Sequence, residues 1–102
     1  MTSKYIHIFQ DTKIPAIGSY CVIFPDGGMH FWVDGLRHRE DGPAVVESDG
    51  YMRWYRKDKL HREDGPAIID PGFGGQLYWY LNGHQYSKED YTLMLFFGVK
   101  DV

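Results

Sequence analysis

Apolar and polar positions alternate along this chain in short runs broken by turn residues. That period belongs to strands with one face on a core. The clearest runs are Met29-His30-Phe31-Trp32-Val33, Tyr51-Met52-Arg53-Trp54-Tyr55-Arg56 and Gln76-Leu77-Tyr78-Trp79-Tyr80-Leu81. Each follows a turn signal: Pro25-Asp26-Gly27-Gly28, Ser48-Asp49-Gly50 and Pro71-Gly72-Phe73-Gly74-Gly75. Each is left through Asp34-Gly35, Lys57-Asp58 or Asn82-Gly83. Asp-Gly and Asn-Gly supply the positive φ that tight hairpins require. Tyr20 to Phe24, Ala44 to Glu47 and Ala67 to Asp70 predict the partner strands, and Tyr5 to Phe9 an additional one. The expectation is a mainly β fold, an antiparallel meander with one hairpin per unit.

The units are repeats. His38-Arg39-Glu40-Asp41-Gly42-Pro43-Ala44-Val45-Val46 recurs as His61-Arg62-Glu63-Asp64-Gly65-Pro66-Ala67-Ile68-Ile69, 23 residues later. A unit of that length cannot bury a core alone, so neighbouring copies must stack. The 102 residues then form a single domain. It divides into an N-terminal strand region (1–23), two full repeats (24–46 and 47–69) and a partial third (70–86). A helix follows at 87–98. Ser87 is a good N-cap, Glu89 and Asp90 suit the first turn, and Gly98 suits the C′ position.

That helix is apolar nearly all round, which predicts burial on more than one side. Residues 1–19 are the first expected cover; a second copy of the chain and a foreign protein are the others. Tyr91, Met94, Leu95 and Phe97 are the candidate seam. Aligning the repeats places Phe31, Trp54 and Trp79 in register. Met29, Phe31, Val33, Met52, Trp54, Leu77, Trp79 and Leu81 then form the expected core face. His30, Trp32, Arg53, Tyr55, Lys57, Tyr78, Tyr80 and Asn82 form the opposite, amphipathic face. An aromatic ladder of this kind stabilises a sheet by cross-strand packing alone. Trp, Tyr and Arg also dominate interface hot spots. Trp32, Arg53, Tyr55, Tyr78 and Tyr80 are therefore the candidate partner-binding residues.

The succession of aromatic-Tyr, Asn/Asp-Gly and Leu-His-Arg-Glu-Asp-Gly-Pro-Ala resembles the variant MORN repeat of small bacterial and bacteriophage proteins. Trp54-Tyr55 through Ala67 is the closest match, with Phe31-Trp32 through Ala44 next and Trp79-Tyr80-Leu81-Asn82-Gly83 a truncated third copy. The likeness covers roughly residues 24 to 91. It implies about three MORN-like repeats with a capping helix, and binding or scaffolding rather than a common catalysis. Lys57-Asp58-Lys59 departs from it by lacking the usual Gly, so that turn is expected to be strained or differently shaped.

His38, Arg39, Glu40, Asp41 and their copies His61, Arg62, Glu63 and Asp64 supply groups for acid–base work or a hard-metal site. Asp-Gly-Pro is nevertheless sufficient turn chemistry, and a role repeated at every rung is a structural ladder more often than an active site. No separate nucleophile, phosphate loop or zinc-ligand pattern accompanies it. No catalytic residue, cofactor or metal is expected. An aromatic content of 17% and a hydrophobic content of 43% exclude disorder. A net charge of −3 disfavours nucleic acid and anionic membrane as partners. The single Cys21 lies in an apolar run and reads as a buried, inert thiol. With no signal peptide or spanning segment in the sequence, a cytoplasmic setting is the default expectation. The leading reading is a non-enzymatic protein-binding module, of the kind a phage uses to bind or inhibit a host bacterial protein. A self-assembling homodimer or homo-oligomer is the alternative. An enzyme built on the His-Arg-Glu-Asp turns is the remote one.

Overall fold

The computed structural model describes residues 5–97, the side chain of Phe73 excepted. It is mainly β, with one sheet running the length of the molecule and a short C-terminal helix. β1 (Ile6–Phe9), β2 (Ser19–Ile23) and β3 (Met29–Val33) begin the sheet. β4 (Leu36–Arg37) folds back on β3, and β5 (Val45–Val46) continues the sheet into β6 (Met52–Arg53). β7 (Tyr55–Arg56) and β8 (Lys59–Leu60) make a separate small hairpin. β9 (Ile68–Asp70), β10 (Gln76–Leu81) and β11 (His84–Tyr86) complete the order β1-β2-β3-β5-β6-β9-β10-β11.

Two details depart from a simple antiparallel meander. β1 pairs with β2 in parallel, Ile6 opposite Tyr20 and Phe9 opposite Ile23. The nine residues between them allow a wide crossover in place of a tight turn. The second repeat's long strand is interrupted at Trp54. Its N–H donates to the Ala67 carbonyl, and its carbonyl accepts from the His61 N–H. The chain changes partner there: residues before Trp54 pair with β5 and β9, those after with β8.

The three tight hairpin turns share one shape. Asp34 and Gly35 have φ of 50° and 78°, Lys57 and Asp58 48° and 69°, Asn82 and Gly83 50° and 84°. Positive φ at both central residues is the type I′ geometry that matches strand twist. The Lys57-Asp58 turn is therefore not differently shaped. It takes the same geometry as the other two with a side chain where its two counterparts have Gly, and it carries the strain of two left-handed L-residues.

The buried cluster comprises Tyr5, Cys21, Phe31, Ala44, Val45 and Tyr55. Cys21 is fully buried, and burial pushes its thiol pKa up, as its apolar run leads one to expect. Phe31, Trp54 and Trp79 occupy equivalent positions, and each ring meets a different cover. Arg39 lies over Phe31, Arg62 over Trp54, and Tyr91 against Trp79.

The helix, α1 (Lys88–Phe96), starts as expected: the Ser87 hydroxyl accepts the Asp90 N–H, with Glu89 and Asp90 in the first turn. The proposed Gly98 terminus lies outside the described residues. α1 packs on β10 and β11. β1 sits at the opposite edge of the sheet, so the described part of the N-terminal segment does not cover the helix. Only Tyr91 of the helix is buried; Leu93, Phe96 and Phe97 are 52%, 81% and 73% exposed. The expected burial on more than one side is absent among the described residues.

Replacing Asp58 by Gly is expected to stabilise the protein by about 0.5 kcal/mol, the left-handed strain relieved exceeding the added flexibility of the unfolded chain. Gly83→Ala, at the equivalent position, is expected to destabilise by about 1 kcal/mol. Thermal unfolding of the two variants reads both signs, and a downward shift for Asp58→Gly would overturn the strain assignment.

Candidate functional site: motif turns and an aromatic–arginine face

The duplicated motif builds two copies of the same device. In the second, the Arg62 guanidinium lies 3.8 Å from the Trp54 ring centroid. Its Nε donates to Asp64 Oδ1 at 2.8 Å and its terminal nitrogen to the Pro66 carbonyl at 3.0 Å. In the first, Arg39 lies 4.0 Å from Phe31, with bonds of 3.2 Å to Asp41 and 3.1 Å to the Pro43 carbonyl. The Gly of the motif is explained by the same contact. A Cβ on Gly65 would stand 2.8 Å from the Arg62 guanidinium carbon, and one on Gly42 3.1 Å from that of Arg39. Ala44 and Ala67 are fully buried beneath the turns. The Asp64 carboxyl is held below the usual carboxylate range, first by its hydrogen bond from Arg62.

The histidines latch one unit to the next. His38 Nδ1 accepts the Lys57 main-chain N–H at 3.0 Å, and His61 Nδ1 accepts that of Asn82 at 2.9 Å. An accepting Nδ1 leaves the ring proton on Nε2, which donates to Glu40 at 3.3 Å and Glu63 at 2.8 Å. Both ring nitrogens of each histidine are thus engaged. A groove of about 520 Å³ lies between the two turns, with Arg56, Lys57 and Lys59 along it beside the His–Glu pairs. Arg56 meets Glu63 at 3.5 Å. Among the described residues, no group of three or more His, Cys, Asp or Glu is placed to hold a metal. His38 and His61 therefore face one groove, but each is spent on holding the next hairpin turn.

On the opposite face of the sheet the side chains form a different array. Trp32 faces Arg37 across β3 and β4. Arg37 lies 5.2 Å from the Trp32 ring and 5.5 Å from the Tyr55 ring. Arg53 lies 5.8 Å from Tyr55 and 5.5 Å from Tyr51, and donates to the Tyr55 hydroxyl at 3.2 Å. Trp32, Arg53, Tyr78 and Tyr80 are half-buried here, and the Tyr80 hydroxyl donates to Gln85 at 3.3 Å.

Two expected surface residues are not at the surface. Tyr55, read as partner-binding, is 8% exposed and belongs to the core cluster, with the guanidiniums of Arg37 and Arg53 5.5 and 5.8 Å from its ring. Tyr91, read as part of a seam, is 4% exposed. Its hydroxyl donates to the Arg62 carbonyl and accepts the Gly65 N–H, fastening the helix to the second motif turn. Met94 and Leu95 are half-buried and Phe97 exposed. Leu77, placed on the core face by alternation, is 48% exposed. Arg37, Leu93 and Phe96 were not among the expected site residues. Arg37 follows Leu36 and directly precedes the motif, and nothing local marks it; its place comes from the short strand β4.

Among the described residues no helix is long and apolar enough to cross a membrane. Comparison with known protein families, curated proteins and solved structures gives no match to this chain.

His61→Ala is expected to destabilise by about 2 kcal/mol, because it leaves the Asn82 N–H and the Glu63 carboxylate without this partner. Asn at the same position offers an acceptor near the place of Nδ1 and should recover part of the loss. His38→Ala, at a more exposed turn, should cost less than His61→Ala. Urea unfolding measures all three. Equal losses for His61→Ala and His61→Asn would show that the accepting nitrogen is not what matters.

Proposed function

We propose that this protein is a non-enzymatic protein-binding module that engages its partner through the aromatic–arginine face of the sheet. The observation that carries the reading is the continuous array of Trp32, Arg37, Tyr55, Arg53 and Tyr51, extended by Tyr78 and Tyr80. Rigid aromatic rings and planar guanidiniums bury large area with little loss of rotamer freedom, which suits them to interface hot spots. The motif turns, by contrast, use their charged groups on one another and on the backbone, which favours a scaffold role for them. The resemblance to repeat proteins of bacteria and bacteriophages supplies a host bacterial protein as the class of partner. An adapter or an inhibitor acting in that setting fits the small size.

Self-association is the second reading. It is favoured by the helix, where Leu93, Phe96 and Phe97 present apolar surface with no cover in the described chain. A homodimer seam over these residues would also take in Met94 and Leu95.

Affinity capture from bacterial lysate with the tagged chain should retain a stoichiometric protein. The triple variant Trp32→Ala, Tyr78→Ala, Tyr80→Ala should lose it while keeping its far-ultraviolet circular dichroism. Tyr55 is left intact because it is part of the core. Capture undiminished in the variant overturns the assignment of this face, and capture of nothing by the unaltered chain overturns the binding reading. Sedimentation at high protein concentration tests the second reading, which a monomer mass removes.

A further inference from the structure

The charge pattern of the proposed binding face identifies the chemistry of what it meets. The chain carries 14 Asp and Glu against 11 Lys and Arg. Arg39, Arg56 and Arg62 each pair with a carboxylate. Arg37 and Arg53 do not. Among the described residues neither has a carboxylate within ion-pair distance, and the Nε of each is buried without a hydrogen-bond partner. Their guanidiniums flank the same Tyr55 ring at 5.5 and 5.8 Å. One terminal nitrogen of Arg53 donates to the Tyr55 hydroxyl. The other terminal nitrogens are neither bonded within the described chain nor buried. Two partly dehydrated cations, held 5.2–5.8 Å from ring centroids with free outer donors, lie ready for a planar anion. Burial of Nε removes water from one side of each cation and strengthens what a carboxylate gains at the other.

We propose that Arg37 and Arg53 form a carboxylate-recognition pair, and that the partner is a protein segment presenting Asp or Glu side chains across the Trp32 and Tyr51 rings. The proposal rests on the protein-binding reading of this face. Charge complementarity selects the occupant. Two guanidiniums on a chain of net charge −3 suit a segment with one or two acids. A nucleic-acid backbone needs many phosphates neutralised at once and meets repulsion from the rest of the molecule.

The test uses fluorescence anisotropy at low salt with labelled hexaglutamate and hexaglutamine as probes. Hexaglutamate should bind in preference to hexaglutamine. Arg37→Gln with Arg53→Gln should weaken hexaglutamate binding at least about tenfold, because both charge-assisted contacts are removed. Lys57→Gln with Lys59→Gln, cations of the groove between the motif turns, should leave it unchanged. If the double arginine variant does not fold, Arg37→Gln alone is read in the same way. Absence of hexaglutamate binding, equal binding of hexaglutamine, or unchanged binding in the arginine variant overturns the proposal. Equal binding of a thymidine decamer overturns the carboxylate assignment in favour of a general anion site. Self-association that disappears in the arginine variant would seat a second copy's acidic turns there and overturn the foreign partner. Lysate capture that survives the arginine substitutions but is lost in the Trp32, Tyr78, Tyr80 variant overturns only the carboxylate pair. Capture by neither the unaltered chain nor any variant takes down the binding reading itself.

Discussion

A guanidinium laid on an aromatic ring and tied at both ends is the contact on which each repeat is built. Arg62 covers Trp54, holds Asp64 and holds the Pro66 carbonyl. Stacking of this kind is worth about 0.5–2 kcal/mol, and the charge-assisted bonds add to it. The shape of the turn follows from it. Gly65 must be Gly because the guanidinium occupies the place of a Cβ, and Ala67 is small because the turn closes directly over it. Arg39 repeats the arrangement on Phe31. A single sheet has no second layer to cover its core face, so the turns themselves become the lid. The third unit has no such turn, and Tyr91 takes the place of the arginine against Trp79. At the other end Tyr5 packs edge-on to Phe31, 5.0 Å between ring centres. The helix and the residue just before β1 thus each close one end of the stack with a tyrosine.

Stacking also needs the units to be held in phase, and the histidines do this. Each accepts a main-chain N–H from the next unit's type I′ turn while its other nitrogen is steadied by a glutamate. The contact joins residues 19 and 21 positions apart, so it forms only when two units are already side by side. The motif is therefore local in its arginine half and long-range in its histidine half. That division makes the repeat cooperative with its neighbours, as a stack of units too small to fold alone requires.

Much of this was legible in the residues. The strands at 29–33 and 76–81, the register of Phe31, Trp54 and Trp79, and the Ser87 cap all follow from periodicity and turn chemistry. What was not legible depends on partners brought from elsewhere in the chain. β4, β8 and β11 are two or three residues long and have no period to read. Alternation alone sends Tyr55 to an exposed face, but Arg37 and Arg53 reach its ring from a neighbouring strand and from two residues earlier. The helix composition demanded cover, but composition cannot say whether the cover lies in the same chain. The parallel pairing of β1 takes the N-terminal segment to the far edge of the sheet.

The same economy explains why the two faces differ in charge. Glu40, Asp41, Glu63 and Asp64 lie on the motif turns, because an arginine that is to lie flat on a ring needs carboxylates and carbonyls at its edge. These four acids are thereby gathered on the side of the sheet where the turns fold over, whereas Glu47 pairs with His30 on the other face. The opposite face has no turn to fold over it, and its rings are covered by arginines arriving along the strands. Among the described residues, those arginines have rings beneath them but no carboxylate within ion-pair distance; Asp58 meets only the main-chain N–H of Arg37. A stable repeat does not require a cation at the Arg37 position, since leucine, as at position 60, or glutamine, as at position 85, fills the equivalent place in the later units. Arg37 is the one departure among the three, at the unit where Trp32 and Tyr55 can both receive it. Arg39 and Arg62 are thus fixed by the motif at both ends, whereas Arg37 and Arg53 are held by ring contacts and, for Arg53, by the Tyr55 hydroxyl.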